Sequence, residues 1–218
     1  METIIEFTQK DFKDQTGLNS EILDDYVSWQ SLLVKWNKRI NLVAPLSLPD
    51  FWHRHAYDSW QIVSHVPEDA NNIIDMGSGA GFPGLAIAIE LKRRGRGHVT
   101  LVESAGKKVN FLRSVIRELS LPASVYGGRV ENMAQETADL ITARAFAPLP
   151  KLLNYSHSFW GIRTKGLFLK GQGLAQERSS AQEYWDFDEK LIPSLTDEDA
   201  VILLLSNLKP RQTKKDMM

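Results

Sequence analysis

Cysteine is absent from the 218 residues, and that one omission removes several chemistries. There is no disulfide, no thiolate zinc site, no iron–sulfur cluster and no cysteine nucleophile. Also missing is any run of about 18 apolar residues, the length a helix needs to cross a bilayer, so no membrane partner is expected. Charge of one sign is lacking too: 26 lysines and arginines face 27 acids, a net −1. A polyanion can therefore be met only by a local patch. The opening METIIEFTQKDFKDQ is polar and acidic, unlike a secretory signal, and a cytoplasmic location is the expectation. What is present is ordinary globular composition, 43% hydrophobic and 24% charged. The length suits one substantial α/β domain with an extension.

The first sixty-odd residues read as helices. In SEILDDYVSWQSLLVKWNKRINLV, the residues Ile22, Tyr26, Trp29, Leu33, Trp36 and Ile40 trace one helical face. Asn19 or Ser20 caps its start, and a second helix is predicted from about Pro49 to His65 after Ser47. From about Asn71 the texture changes to short β runs alternating with helical stretches: NIIDM, then PGLAIAIELKRRG ending at Gly95, then HVTLVES and KKVNFLRSVIREL. ASVYG, ADLITARA, LPKLLNYSHSF and GLFLK continue the alternation, and EKLIPS and AVILLLS add two strands with a polar connection. This pattern predicts a mostly parallel sheet with helices on both faces. The division is therefore 1–65, a helical extension packing on the core, and 66–218, the α/β domain. Basic residues gather in KRRGR, around Lys107, Lys108, Arg113 and Arg117, around Arg163, Lys165 and Lys170, and in the tail KPRQTKK.

The stretch IIDMGSGAGFPG, Ile73 to Gly84, admits two frames. Gly79, Gly81 and Gly84 match GxGxxG, a dinucleotide fingerprint. But Asp75 then stands beside the turn, where a phosphate would meet a negative charge. In the other frame an acid closes the strand and Gly77, Gly79 and Gly81 alternate in the turn. S-adenosylmethionine, cationic and free of phosphate, suits this second frame. Asp75 can face the methionine end while bare glycine backbone approaches closely, and the helix opened by Pro83 can favour the methionine carboxylate. Glu103 closes the next strand 26 residues past Gly77, where a carboxylate can accept from both ribose hydroxyls.

Further segments lie in a definite order: WNKRINLVA (Trp36 to Ala44), RHAYDS (Arg54 to Ser59), DMGSGAGFPG, ESAGKKVNFLR, ARAFAPL (Ala143 to Leu149) and LKGQ (Leu169 to Gln172). With them the sequence resembles the RsmG (GidB) family of bacterial methyltransferases, which modify N7 of a guanine in 16S, small-subunit, ribosomal RNA. The resemblance implies a class I, Rossmann-like fold with a seven-stranded sheet, S-adenosylmethionine as cofactor, and ribosomal RNA or a ribosomal particle as partner. It implies a cofactor site containing Gly77, Phe82, Val130, Glu131 and Arg144, alongside Asp75, Gly79 and Glu103 from the loop reading. Glu103 stands where the family more often has Asp, and Ala143 where it more often has Ser. The protein is expected to be a monomer without a metal.

Guanine N7 carries a free lone pair, so its methylation needs no general base, only positioning against the methyl. The segment ARAFAP is not the [DN]PP[YF] turn of adenine N6 methylation, and cytosine C5 methylation needs the missing cysteine. Arg144, at the carboxyl edge of the sheet, can hold guanine O6, a phosphate or the cofactor carboxylate. Phe82 and Phe146 can stack on cofactor or base, or pack in the core. His55 and Asp58 of RHAYDS are placed on the substrate side or in a structural cap. The alternatives are a small-molecule methyltransferase, a nicotinamide-dependent oxidoreductase and a non-catalytic binding module.

Overall fold

The computed structural model of the protein describes residues 7–211. Its sheet contains β1 (Asn72–Met76), β2 (His98–Val102), β3 (Ala123–Tyr126), β4 (Leu140–Arg144) and β5 (Lys165–Lys170), all parallel. A hairpin of β6 (Trp185–Pro193) and β7 (Val201–Pro210) completes it, with β7 antiparallel to β5. The order is β3-β2-β1-β4-β5-β7-β6. This is the mostly parallel, seven-stranded sheet anticipated from the alternation and the resemblance. Strand order reverses between β1 and β4, so a crevice opens at their carboxyl ends, where ligands bind in open α/β sheets.

Strand periodicity sorts the side chains into two cores. Ile73, Leu101, Leu140 and Leu167 face one side, where α4 (Gly84–Arg94) and α5 (Gly106–Leu119) cover them together with the extension. Ile74, Met76, Ile141, Ala143 and Phe168 face the other, under α6 (Leu149–His157) and α7 (Leu174–Ala181). The helix α4 stops at Gly95, which adopts φ 68°, the left-handed C-terminal stop read from the sequence. By contrast α7 falls between GLFLK and EKLIPS, where the sequence reading assigned no element. It buries only Leu174 and Ala181, so it carries no apolar periodicity to detect.

The extension consists of α1 (Gln9–Thr16), α2 (Ser20–Asn37), a π-helical segment Phe51–Tyr57 and α3 (Asp58–Val63). Asn19 is the cap of α2, accepting from Ile22 N at 3.0 Å. The predicted face buries Ile22, Tyr26, Trp29 and Leu33, while Trp36 stays half-buried and Ile40 lies past the helix end. The second helix differs from expectation. It starts at Phe51 rather than Pro49, its first half is π-helical, and Pro45–Ser47 forms a separate 3₁₀ turn. Ser47 does not cap the helix; its hydroxyl donates back to Ala44 O at 2.8 Å. The wider turn lets Phe51, Trp52, His55, Ala56 and Tyr57 all face inward while Arg54 stays outside.

Aromatic contacts knit this extension to the sheet. Tyr26 meets Phe12 at 5.0 Å and Trp29 at 5.9 Å, and Trp29 meets Phe82 of the glycine loop at 4.9 Å. Each such pair contributes about 0.5–1.5 kcal/mol beyond the area it buries. No helix among the described residues is long and apolar enough to cross a membrane.

Gly84 sits where α4 meets the strands. A methyl added there would lie 2.2 Å from Leu101 Cδ2 and 2.6 Å from Asp75 Oδ2. Both neighbours are buried, so Gly84→Ala is expected to cost about 1–3 kcal/mol, read as a lower urea midpoint with an unchanged m-value.

Candidate active site

Asp75 and Met76 end β1 on opposite faces. Asp75 pairs in register with Thr142 of β4, whose hydroxyl donates to Oδ1 at 2.7 Å. The carboxyl is fully buried, and Oδ2 lies against Gly84 without a side-chain or backbone hydrogen bond of normal geometry. Burial raises its pKa, opposed by the Thr142 hydroxyl. The sequence reading set Asp75 against a methionine's cationic end; here it lines neither cavity. It instead joins the two central strands to the start of α4. That helix start therefore faces the chain's own carboxyl and is not open to a ligand's carboxylate. In the Gly79–Gly84 frame a pyrophosphate at this helix start would meet that buried acid. Gly81, too, is packed inward: a methyl on it would meet Leu85 Cδ1 at 2.2 Å.

The front of the loop is different. Gly77 and Gly79 adopt φ 70° and 58°, a region glycine enters without steric cost. Gly79 N donates to Glu103 Oε2 at 3.0 Å and Ala105 N to Oε1 at 2.7 Å. Two backbone amides thus fix a buried carboxylate at the carboxyl end of β2. Glu103 lines a cavity of about 320 Å³ together with Gly77, Val130, Glu131, Phe146 and Tyr155. Gly79 is not on its wall; its amide orients Glu103.

Arg144 follows Asp75 and Thr142 by alternation onto the face covered by the extension. Its Nη1 donates to Asp58 Oδ2 at 2.7 Å and to Arg54 O at 3.1 Å, and Cζ lies 4.6 Å over the Phe82 ring. His55 stacks on the same ring at 4.6 Å. Because the Ser47 hydroxyl donates to Ala44 O, it accepts from His55 Nε2–H at 3.1 Å. Nδ1 is then the unprotonated nitrogen, facing Arg144 Nη2 at 3.4 Å. Burial, then Arg144 and Arg54, depress the His55 pKa to about 3. Asp58 Oδ1 in turn accepts from Thr196 Oγ1 at 2.7 Å and Gln61 Nε2 at 2.9 Å. Phe82 is 4% exposed and is not among the residues lining the cavity beside Glu103 or the one beside Arg144; it supports the cluster from beneath.

His55, Asp58 and Arg144 line a second cavity of about 980 Å³ between the extension, the sheet edge and the β6–β7 connection. Ala145, Phe146 and Ala147 line both cavities and so form the wall between them. Phe146 lies over Gly77, where an added methyl would approach its ring carbon Cδ2 to 2.3 Å. Lys170 pins this turn, donating to Ala147 O at 2.8 Å and Glu177 Oε2 at 2.7 Å. Glu177 also accepts from Leu149 N at 2.8 Å.

The KRRGR cluster does not reach this site. Lys92 pairs with Asp25, and Arg93 and Arg94 with Glu90. Arg94 and Arg96 also donate to Pro67 O and Glu68 O, ahead of β1 at the opposite sheet edge. Arg129, Lys151 and Arg54, exposed and without ion pairs among the described residues, stand instead at the cavities. Of the basic tail, residues 212–215 lie outside the described residues. Among the described residues, no group of three or more His, Asp or Glu is placed to hold a metal.

The sequence profile described as "GidB: rRNA small subunit methyltransferase G" matches residues 21–202. The chain belongs to the GidB family. Ribosomal RNA small subunit methyltransferase G of Parvibaculum lavamentivorans is 46% identical over 199 residues, spanning 90% of this chain and 88% of its own. The protein of that name from Hyphomonas neptunium is 44% identical across 92% of this chain and 95% of its own. Among solved structures, a SAM dependent methyltransferase from Aquifex aeolicus matches with TM-score 0.56 at 14% identity, covering 79% of this chain and 97% of that one. That likeness gives the fold: a class I methyltransferase sheet.

In this GidB chain the structure gathers Gly77, Glu103, Val130 and Glu131 at one cavity and His55, Asp58 and Arg144 at the other. Gln61, Thr196, Glu177 and Tyr155 were not singled out as site residues from the sequence, and Ser47 only as the start of a helix. Thr196 meets Asp58 across 138 residues, a pairing that no local motif encodes.

Gly77→Ala is expected to displace Phe146 and to weaken S-adenosylhomocysteine binding at least about tenfold, since φ > 0 and the close ring both oppose a Cβ; calorimetric titration reads the change. For His55, nitrogen-detected NMR is expected to show the Nε2–H tautomer, with no protonation until pH approaches about 3. The unfolded imidazole takes up its proton near pH 6.5. This group's stabilising contribution is therefore complete above that pH and declines as pH falls towards 3. A His55 that titrates near 6.5 in the folded protein contradicts the assigned environment.

Proposed function

We propose that this chain transfers a methyl group from S-adenosylmethionine to N7 of a guanine in 16S ribosomal RNA, acting as a cytoplasmic monomer. Residues 66–218 serve as the methyltransferase domain and 1–65 as the extension that walls the substrate side. The observation carrying this reading is the pair of cavities sharing the Ala145–Ala147 wall, in a chain of this family.

The smaller cavity fits the cofactor by its chemistry. Glu103 offers a buried acceptor pair to a ribose diol, and Val130 is a buried apolar surface beside it. At Gly77 a side chain would drive the Phe146 ring out of the shared wall. Glu131 lines the same cavity, while Gly79, Asp75 and Phe82 act through the loop's shape. S-adenosylmethionine, when bound, supplies an electrophilic methyl on a sulfonium.

The rest falls to the chain's own groups. The N7 lone pair forms the new bond without loss of a proton, so orientation and charge stabilisation are the tasks. His55 is not a base for this reaction: one ring nitrogen donates to Ser47, the other faces Arg144, and its pKa is about 3. Arg144, held by Asp58 and stacked on Phe82, presents a fixed guanidinium to the larger cavity, suited to guanine O6 or a phosphate. Phe146 on the shared wall offers a ring face to a base or adenosyl group.

Incubation with S-adenosylmethionine labelled in the methyl and with small-subunit RNA or particles is expected to place label on one guanine as N7-methylguanine. Arg144→Ala should lower kcat/KM roughly 100-fold through misplacement, and Arg144→Lys should not restore it because the planar fork is lost. Label confined to small molecules, or full activity in Arg144→Ala, overturns the reading.

A further inference from the structure

We propose that Asp50 reads the Watson–Crick edge of the target guanine and is the residue that selects guanine over other bases. The inference rests on the functional reading above and goes beyond it in naming how the base is recognised.

Four carboxylates line the larger cavity: Asp50, Asp58, Glu177 and Asp197. Three of them are already engaged. Asp58 accepts from Arg144, Gln61 and Thr196. Glu177 accepts from Lys170 and Leu149 N. Asp197 is exposed and accepts from Asp199 N at 2.9 Å. Asp50 differs. It is half-buried and directly precedes the π-helical segment, and its carbonyl accepts from Arg54 N at 2.9 Å. Its carboxylate, however, does not cap the helix that follows, the usual occupation of an acid at such a position. Among the described residues it makes no hydrogen bond or ion pair at all. Both oxygens are left to a ligand in the cavity.

Two adjacent unpaired acceptors on the cavity wall select one base by chemistry. Guanine presents N1–H and the 2-amino group side by side. Adenine and cytosine place a bare ring nitrogen at that edge, and uracil has one N–H between two carbonyls. N7 of a paired guanine lies in an A-form groove too deep and narrow for side chains, so a base offered for methylation is unpaired, with its Watson–Crick edge open to be read. N7 lies on the other side of the purine, so a carboxylate at N1 and N2 leaves the nucleophile free. Methylation turns the ring cationic and makes N1–H a stronger donor. The contact therefore strengthens as the new bond forms and acts on kcat as well as on binding.

The test compares small-subunit RNA carrying guanine at the target position with the same RNA carrying inosine, which lacks only the 2-amino group. Wild-type protein is expected to methylate the guanine RNA with a kcat/KM roughly 10- to 100-fold higher. Asp50→Ala should lose a similar factor on guanine, mostly in kcat, and should bring the guanine-to-inosine ratio close to one. Its S-adenosylhomocysteine affinity and circular dichroism should match wild type, which separates this outcome from misfolding. Asp50→Glu, which keeps both acceptors, should recover part of the discrimination. An Asp50→Ala protein that keeps the wild-type ratio overturns the assignment, as does a wild type indifferent to the 2-amino group. A wild type that methylates neither RNA overturns the functional reading itself, and this inference with it.

Discussion

One guanidinium holds the larger cavity together. Arg144 stands at the carboxyl end of β4, yet its partners belong to the extension: Asp58, Arg54 O and His55, over the ring of Phe82. The Arg144 and Asp58 side chains are only 20% and 15% exposed. Removing either leaves a largely dehydrated charge without its counterpart, a loss of about 3–5 kcal/mol where burial is complete and less at this depth. The same pairing sets the larger cavity, because the extension and the sheet edge are its opposite sides. Where Arg144 is held, so is the space in which a base can be oriented.

The two cavities are supported in different ways. The smaller depends on the sheet itself: Gly77 and Glu103 follow adjacent parallel strands, and backbone amides fix the carboxylate. Such a site is as rigid as the ladder beneath it. The larger depends on side chains reaching across long stretches of sequence, through Thr196, Gln61 and Asp58. Between them stands a short turn, tied down by Lys170 and Glu177. Rigidity on the donor side and an assembled wall on the acceptor side suit a reaction that needs alignment more than proton transfer.

Much of this was legible in the residues. The alternation of NIIDM, HVTLV, ADLIT and GLFLK with amphipathic stretches carried the sheet, because buried parallel strands and helices differ in period and length. Gly77 and Glu103 were legible as a turn glycine and a strand-end acid, and the fold sets both at the smaller cavity. Asp75 was placed one step too far forward: an acid beside a glycine turn looks the same in sequence whether it meets a ligand or Thr142 and Gly84. The π-helical turn was illegible, since Phe51, Trp52, His55 and Ala56 recur at four-residue steps as on an ordinary α-helix. Asp50 and Thr196 left no local signature, because what distinguishes them is the partner each lacks or finds across the fold. The KRRGR run was legible only as a gathering of basic residues; in the fold Lys92, Arg93 and Arg94 meet Asp25 and Glu90, and Arg96 meets Glu68 O.

The division of the site along the chain bears on biogenesis. Every residue around the smaller cavity lies between Gly77 and Tyr155, whereas the larger one is lined as far as Ala200. A ribosome making this polypeptide at about 5–20 residues per second spends a few seconds on that interval. Throughout it the emerging chain holds all the donor-side groups while Asp58 still lacks Thr196. The residues that line the smaller cavity are thus all made before Thr196 and Ala200, which complete the wall of the larger one.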